Sequence, residues 1–430
     1  MEKEIRIMAT GDSFIAQRLA CESTNLDQVR TLLNQADVRF TNLEVTIHDY
    51  DVYPSAVSGG TWAAARPAVL KDLRWLGFNL MACANNHTLD WSHHGLLKTL
   101  EHLEREDWIY AGVGRNLTEA NQPKFFETKH GRVALVAVTS TVPDWHLAGE
   151  QRPDLLGRPG VNALRYRSTH YVSKQDFAQL KRTLLTMEGN AQRMIQLSHS
   201  DEELSLGDLS FREGVAGRTE TVMNQKDAKR IGHSIRSAAQ QADVVLVSHH
   251  AHEKKGESSE QPADFLQEFA RFCIDQGAHA YLGHGPHVLR GIEVYKNAPI
   301  FYSLGNFIFQ NETVEKQPSE FFDRYGLGAE HVPMDAYLAR SDHGTKGLSV
   351  MRDNYLSVIA SIVMEAGALK TIELHPVSLG FDLPRSRKGV PALADWQEKE
   401  EILDKLQHLS QQFGTTLHKQ NGIGIIEVGR

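Results

Sequence analysis

Residues Tyr281–Phe309 read YLGHGPHVLRGIEVYKNAPIFYSLGNFIF. The apolar run Ala280-Tyr281-Leu282 predicts a buried strand that stops at Gly283. His284 and His287 follow on a turn bent by Gly285 and Pro286. Two imidazoles just past a strand end, on sharply turned backbone, suit metal ligation, because loop geometry anchored to a sheet fixes both side chains. A hairpin is predicted next, Val288–Tyr295 against Pro299–Tyr302, turning at Lys296-Asn297-Ala298. The polar loop Ser303-Leu304-Gly305-Asn306 then returns toward the same place.

Working outward, the pattern repeats. Ile5–Thr10 predicts a strand running into Gly11-Asp12, and Val38–Thr41 one ending at Asn42-Leu43-Glu44. Phe78–Ala84 runs into Asn85-Asn86-His87, and Val244–Ser248 into His249-His250-Ala251-His252-Glu253. Arg132–Thr139 is a further buried strand. Helices are expected at Leu26–Gln35, Pro67–Leu76, Gly95–Arg105, Gln225–Gln241 and Ala263–Gln276. Alternating strands and helices imply an α/β protein with central sheets flanked by helices, and in such folds chemistry gathers at the carboxyl ends of strands.

The alternation fails over residues 144–223, which read as an insertion or lid-like subregion, although Ser173–Met187 has helical spacing. Residues 312–351 are weakly patterned and are expected as surface loop. Residues 352–430 predict a closing hairpin (Leu356–Met364 with Thr371–Val377), a helix (Trp396–Phe413) and a last strand (Gly424–Val428).

The chain has 430 residues, 41% of them hydrophobic, enough for a large core. A formal charge of −8 without a long basic run argues against nucleic-acid and membrane-surface binding. Three scattered cysteines give neither a disulfide framework nor a zinc ribbon. Without an apolar leader or a run approaching roughly 18 apolar residues, a cytoplasmic location is expected.

Taken singly, Gly11-Asp12 is a turn, Asn85-Asn86 a helix cap, and His-His-Ala-His a solvated loop. All five clusters follow a predicted strand, and that joint placement points to one site. Asp12, Glu44, Asn86, one or more of His249, His250 and His252, and His284 and His287 are the candidate metal ligands. Oxygen and imidazole donors without thiolate favour Mn, Fe or Zn, and a two-cation centre is expected, with Glu44 as a bridge across about 3.5–4 Å. His87 suits proton donation to a leaving group, with Asp90 holding its ring, and His252 and Glu253 are further acid–base candidates. Asn85, Arg66, Arg290, Ser303 and Asn306 are candidate donors to substrate.

The segments GDSFIAQR, NLEVTI, ANNHTLDWSHHGLLKTL, VSHHAHE, GHGPHVLRGIEVY and IFYSLGNFIF, in that order, resemble the CapA family of poly-γ-glutamate capsule biosynthesis, itself similar to the calcineurin-like metallophosphatases. The resemblance covers most of the chain. It implies a single four-layer domain over residues 1–430 and metal-ligand roles for Asp12, Glu44, Asn86, His250, His284 and His287, with His250 chosen by its spacing after Ser248 and His249 the alternative. It also implies a metal-dependent hydrolase in which a bridging hydroxide attacks a phosphoester or a γ-glutamyl amide, on a small-molecule or polyanionic peptide substrate, with a homo-oligomer compatible. Three departures stand out: Phe14 where the metallophosphatases place a histidine, Glu44 for aspartate, and two residues rather than one between His284 and His287. They predict one weaker metal position. Two other functions fit the same residues. One is a metal-independent peptide epimerase using His87, His250 and Glu253. The other is a non-catalytic accessory protein of polymer synthesis.

Overall fold

The computed structural model describes residues 4–186, 195–197, 202–207 and 209–427. Two sheets lie face to face. In the first, the strand Glu4–Phe14 is interior: it pairs in parallel with Val38–Leu43, antiparallel with Leu356–Glu365, and at its carboxyl end in parallel with Asn306–Phe309. Leu80–Ala82 and Tyr110–Ala111 extend it in parallel on one side. The hairpin Leu356–Glu365/Ala368–Ser378 and the strand Ile423–Glu427 extend it on the other. The second sheet aligns Gly131–Thr139, Val244–His250 and Ala280–His284 in parallel, with Ala298–Phe301 beside the last.

Period-two alternation dictates the layering. Ile5, Ile7 and Ala9 face Val133, Leu135, Val244 and Leu246 in an apolar layer between the sheets. Met8 points the other way, into a cluster shared with the helices Thr24–Leu33, Val69–Leu76 and Ser92–Arg105. In the second sheet, Val136, Val138, Val245 and Val247 pack under the helices Gln225–Ala239 and Asp264–Asp275. The order is helix, sheet, sheet, helix, which is the four-layer α/β architecture expected. Gly11 is required where the sheet is tightest: a Cβ there would lie 1.8 Å from the Gly305 carbonyl oxygen.

Both predicted hairpins form around two-residue turns, Lys296-Asn297 and Ala366-Gly367, each with two positive φ angles. The predicted helix Trp396–Phe413 runs Trp396–Gln411, capped by Asp395, and the last strand is Ile423–Glu427. Met187 and Val428 lie outside the described residues.

Two stretches carry more structure than their patterns announced. Within 144–223, Gly160–Val161 pairs with Val113–Gly114 on the main body, whereas Tyr166–Val172 joins Leu209–Glu213 and Thr219–Met223 in a separate five-stranded sheet. That sheet buries only a small cluster, centred on Phe177, Leu184 and Leu204, so its strands lack long apolar faces. Residues 312–351 are not simple surface loop. They form the helices Ser319–Asp323 and Pro333–Arg340, which bury Phe321, Ala336 and Tyr337 in the core.

Candidate metal and acid–base site

The strand registers level the proposed ligands. Asp12 is opposite Asn42 and Asn306, and His250 is opposite His284. Asp12, Glu44, His250 and His284 are all fully buried. Ligand atoms of three sets each lie within 4.8 Å of one another: Asp12/His250/His284, Glu44/His250/His252 and Asp12/Glu44/His287. Asp12, Glu44 and His250 each belong to two of the three sets.

Each donor is oriented by a neighbour. Asp12 Oδ1 accepts from Asn42 Nδ2 at 2.7 Å and Oδ2 from the Gly285 backbone N–H at 2.8 Å. Gly285 reaches that position with φ +119°, and a Cβ there would crowd the Ala251 backbone. Ser248 Oγ sits 2.7 Å from His284 Nε2, leaving Nδ1 facing Asp12 at 3.0 Å. His287 Nδ1 donates to Asn306 Oδ1 at 2.9 Å, which leaves its Nε2 lone pair for the site. Asn306, expected to meet substrate, is therefore the group that orients His287. His250 Nε2 is 3.6 Å from Glu44 Oε1 and 3.1 Å from His252 Nε2.

Strand alternation decides between His249 and His250. His249 points toward the outer helices, where Nδ1 meets the Tyr281 hydroxyl at 2.6 Å, Nε2 meets Ser140 Oγ, and the ring packs on Phe269. His250 faces the site.

Electrostatics indicate a missing positive charge. Burial alone would raise Asp12, but His250 and His284 pull its pKa well below the usual carboxylate value. Burial, reinforced by the charges of Asp12 and Asp90, pushes Glu44 well above it. Both Glu44 oxygens are buried without a hydrogen-bond partner, and so is Asn86 Oδ1. Among the described residues, imidazoles are the only basic groups within 4.0 Å of either Asp12 or Glu44. Burial also lowers His250 to about 4 and His252 well below its ordinary value, so the rings are neutral and have lone pairs to give. Neutral imidazoles, two carboxylates and an orphaned amide oxygen fit a divalent cation.

Beside the ligands, His87 Nδ1 donates to Asp90 Oδ2 at 2.6 Å, and the same oxygen accepts from the Ala63 N–H. The His87 ring stands edge-on to Phe14, with centroids 5.3 Å apart. Asn85 bridges the Leu43 carbonyl and the His87 N–H, fixing the loop.

His87, Asn86, His252 and His287 line a cavity of about 280 Å3 together with Gly59–Thr61, Asn311, Arg340 and Leu348, and none of its lining residues falls in 144–223. Nothing in the local sequence around Arg340 marked it, because only the folded 312–351 segment carries it there.

The remaining sequence candidates hold structure together elsewhere. Arg66 pairs with Glu315 and Asp49 at the surface. Arg290, fully buried, donates to the carbonyls of Ser259 and Glu253 and so fixes the 251–259 loop. Ser303 Oγ accepts from the Gly305 N–H. The Glu253 carboxylate is held by Ser140 and Thr141. These four are not gathered with the ligands.

Among the described residues no helix is long and apolar enough to cross a membrane. The family model described as "Bacterial capsule synthesis protein PGA_cap" matches residues 6–311. An uncharacterized protein, y4sH, of Sinorhizobium fredii (strain NBRC 101917 / NGR234) is 34% identical over 98% of this chain and 93% of its own length. The capsule biosynthesis protein CapA of Bacillus anthracis is 24% identical over 57% of this chain and 44% of its own. A probable polyglutamine synthesis accessory protein of Mycobacterium tuberculosis (strain ATCC 25618 / H37Rv) is 25% identical over 65% of this chain and 57% of its own. With every candidate metal ligand from Asp12 to His287 inside the matched region, the chain belongs to the bacterial capsule synthesis protein family PGA_cap.

Proposed function

We propose that this protein is a metal-dependent hydrolase that cleaves a phosphoester or a γ-glutamyl-type amide. The observation that carries the reading is the convergence of Asp12, Glu44, His250, His252, His284 and His287 on one buried place, with the Glu44 oxygens unpaired. A divalent cation there supplies Lewis-acid charge that makes water nucleophilic near neutral pH and offsets negative charge as it develops.

The chain's own groups do the rest. Asn42, the Gly285 N–H, Ser248 and Asn306 fix the directions of Asp12, His284 and His287. Asp90 holds the His87 ring through Nδ1, so its other nitrogen, Nε2, is the one that carries a proton to a departing alkoxide or amine. His87 lines the cavity, within which such a group would sit. Phe14 and Phe309 form an apolar wall that limits water around the imidazoles. Relatives named for capsule and polyglutamine synthesis support a glutamyl-type substrate.

The accessory label on a relative favours one competing reading, binding without turnover. Elemental analysis of the purified protein, together with a screen of phosphoesters and γ-glutamyl peptides, separates the two. Near-stoichiometric Mn, Fe or Zn with turnover that dies on chelation is the expected result. Protein that lacks metal and turns over nothing after Mn, Fe or Zn is added would overturn the hydrolase reading.

A further inference from the structure

The cavity in front of the imidazoles has an unusual charge balance. The chain has 54 acidic against 46 basic residues, yet no residue lining this cavity is Asp or Glu. Arg340, the last residue of the helix Pro333–Arg340, lines the same cavity as His87, His252 and His287. Among the described residues no carboxylate lies within 4.0 Å of its guanidinium, whereas the nearby Arg385 pairs with Glu312. An arginine side chain offers five N–H donors. Arg340 uses one nitrogen, Nη1, toward the Thr61 hydroxyl at 2.6 Å, and Thr61 in turn is held by Asn311 Oδ1 at 2.6 Å.

The guanidinium is also immobilised. Its central carbon lies 5.2 Å from the Tyr337 ring centroid and 5.7 Å from that of Phe321, two buried aromatics. Aromatic faces and the Thr61 bond hold the planar fork in place while its remaining donors stay unspent. A pre-ordered guanidinium without a carboxylate partner, in the same cavity as the imidazoles, suits one kind of ligand group, a planar or tetrahedral oxyanion.

We propose that Arg340 is the residue that selects the substrate, by taking a carboxylate or phosphate oxygen of the molecule whose scissile bond lies at the imidazole cluster. The substrate class is therefore an anion whose charged group is taken in the same cavity as the bond to be cut. What happens after binding rests on the hydrolase reading; the binding itself does not.

The test is calorimetric titration of the full-length protein, as purified and after chelation, with inorganic phosphate in one arm and γ-glutamylglutamate in the other. At least one probe should bind the chelated protein. Arg340→Met, which keeps an apolar stem over Phe321 and Tyr337, should weaken that binding roughly tenfold or more, the loss of a charge-assisted hydrogen bond. Arg340→Lys should retain most of it. Metal content should be the same in all three proteins. A variant-free check is arginine modification by phenylglyoxal read by peptide mass spectrometry, in which the bound probe should protect Arg340. The arm that responds tells phosphate from carboxylate. If neither probe binds the chelated protein, or if Arg340→Met binds as the parent does and phenylglyoxal labelling is unprotected, the proposal falls. Anion binding that disappears on chelation would overturn it while leaving the metal reading intact. Absence of metal with Arg340-dependent anion binding would do the reverse.

Discussion

His87 Nδ1 lies 2.6 Å from Asp90 Oδ2, and both side chains are buried at the edge of the ligand cluster. The carboxylate fixes the ring's tautomer and its direction together. Asp90→Asn keeps an oxygen for both the Ala63 N–H and His87 Nδ1 but removes the negative charge that stabilises the ring as it takes up a proton. On any substrate the screen identifies, kcat should fall by roughly 10²-fold or more, with KM changed little. Steady-state kinetics across pH decides it, and an unchanged kcat would remove His87 from proton transfer.

Glu44 gives a prediction about metal. Its carboxyl is raised well above the ordinary carboxylate range by burial and by the Asp12 and Asp90 charges, so it keeps its proton to higher pH than an ordinary glutamate and a cation competes with that proton. Metal affinity should therefore rise with pH and fall on acidification, with proton release on binding. Glu44→Gln should lower the bound metal by about one equivalent or weaken it roughly tenfold or more. Competition titrations with a chromophoric chelator at several pH values read both effects.

Gly11 tests the strand contact that positions Asp12. An added Cβ would meet the Gly305 carbonyl at 1.8 Å, backbone that has no flexible end to move aside. Gly11→Ala should cost on the order of 1–3 kcal/mol in urea unfolding and reduce metal content, because Asp12 N–H donates to that same carbonyl.

His48 gives the acid limit of stability. It is buried, accepts from the Tyr50 N–H at Nδ1, and burial lowers its pKa from 6.5 to about 4. The unfolded chain binds the proton first on acidification, so the folded form loses stability as pH falls from about 6.5 toward 4 and regains it in the other direction. That loss should reach on the order of 2–3 kcal/mol from this residue. In His48→Gln the slope of unfolding free energy over that window should be shallower.

The sheet strands and the ligand-bearing turns were legible because both signals are local. An apolar run such as Val244–Ser248 followed by His-His announces itself within a few residues, and alternation alone sends His250 inward and His249 outward. Arg290 was misleading for the opposite reason: adjacency to His287 in sequence says nothing about direction, and its side chain runs away to the 251–259 carbonyls. His252 looked like an acid–base residue, but the fold places it within ligand distance of Glu44 and His250. Arg340 and Thr61, separated by 279 positions, meet only through tertiary folding, so neither had a local signature.

The strand Glu4–Phe14 has partners on both flanks, and one of them, Leu356–Glu365, lies beyond the end of the family match at residue 311. A fragment trimmed to that match would turn an inner strand into a raw border of unsatisfied amides, inviting sticky self-association. Expression clones should keep the whole tail, since trimmed ones would yield precipitate rather than information.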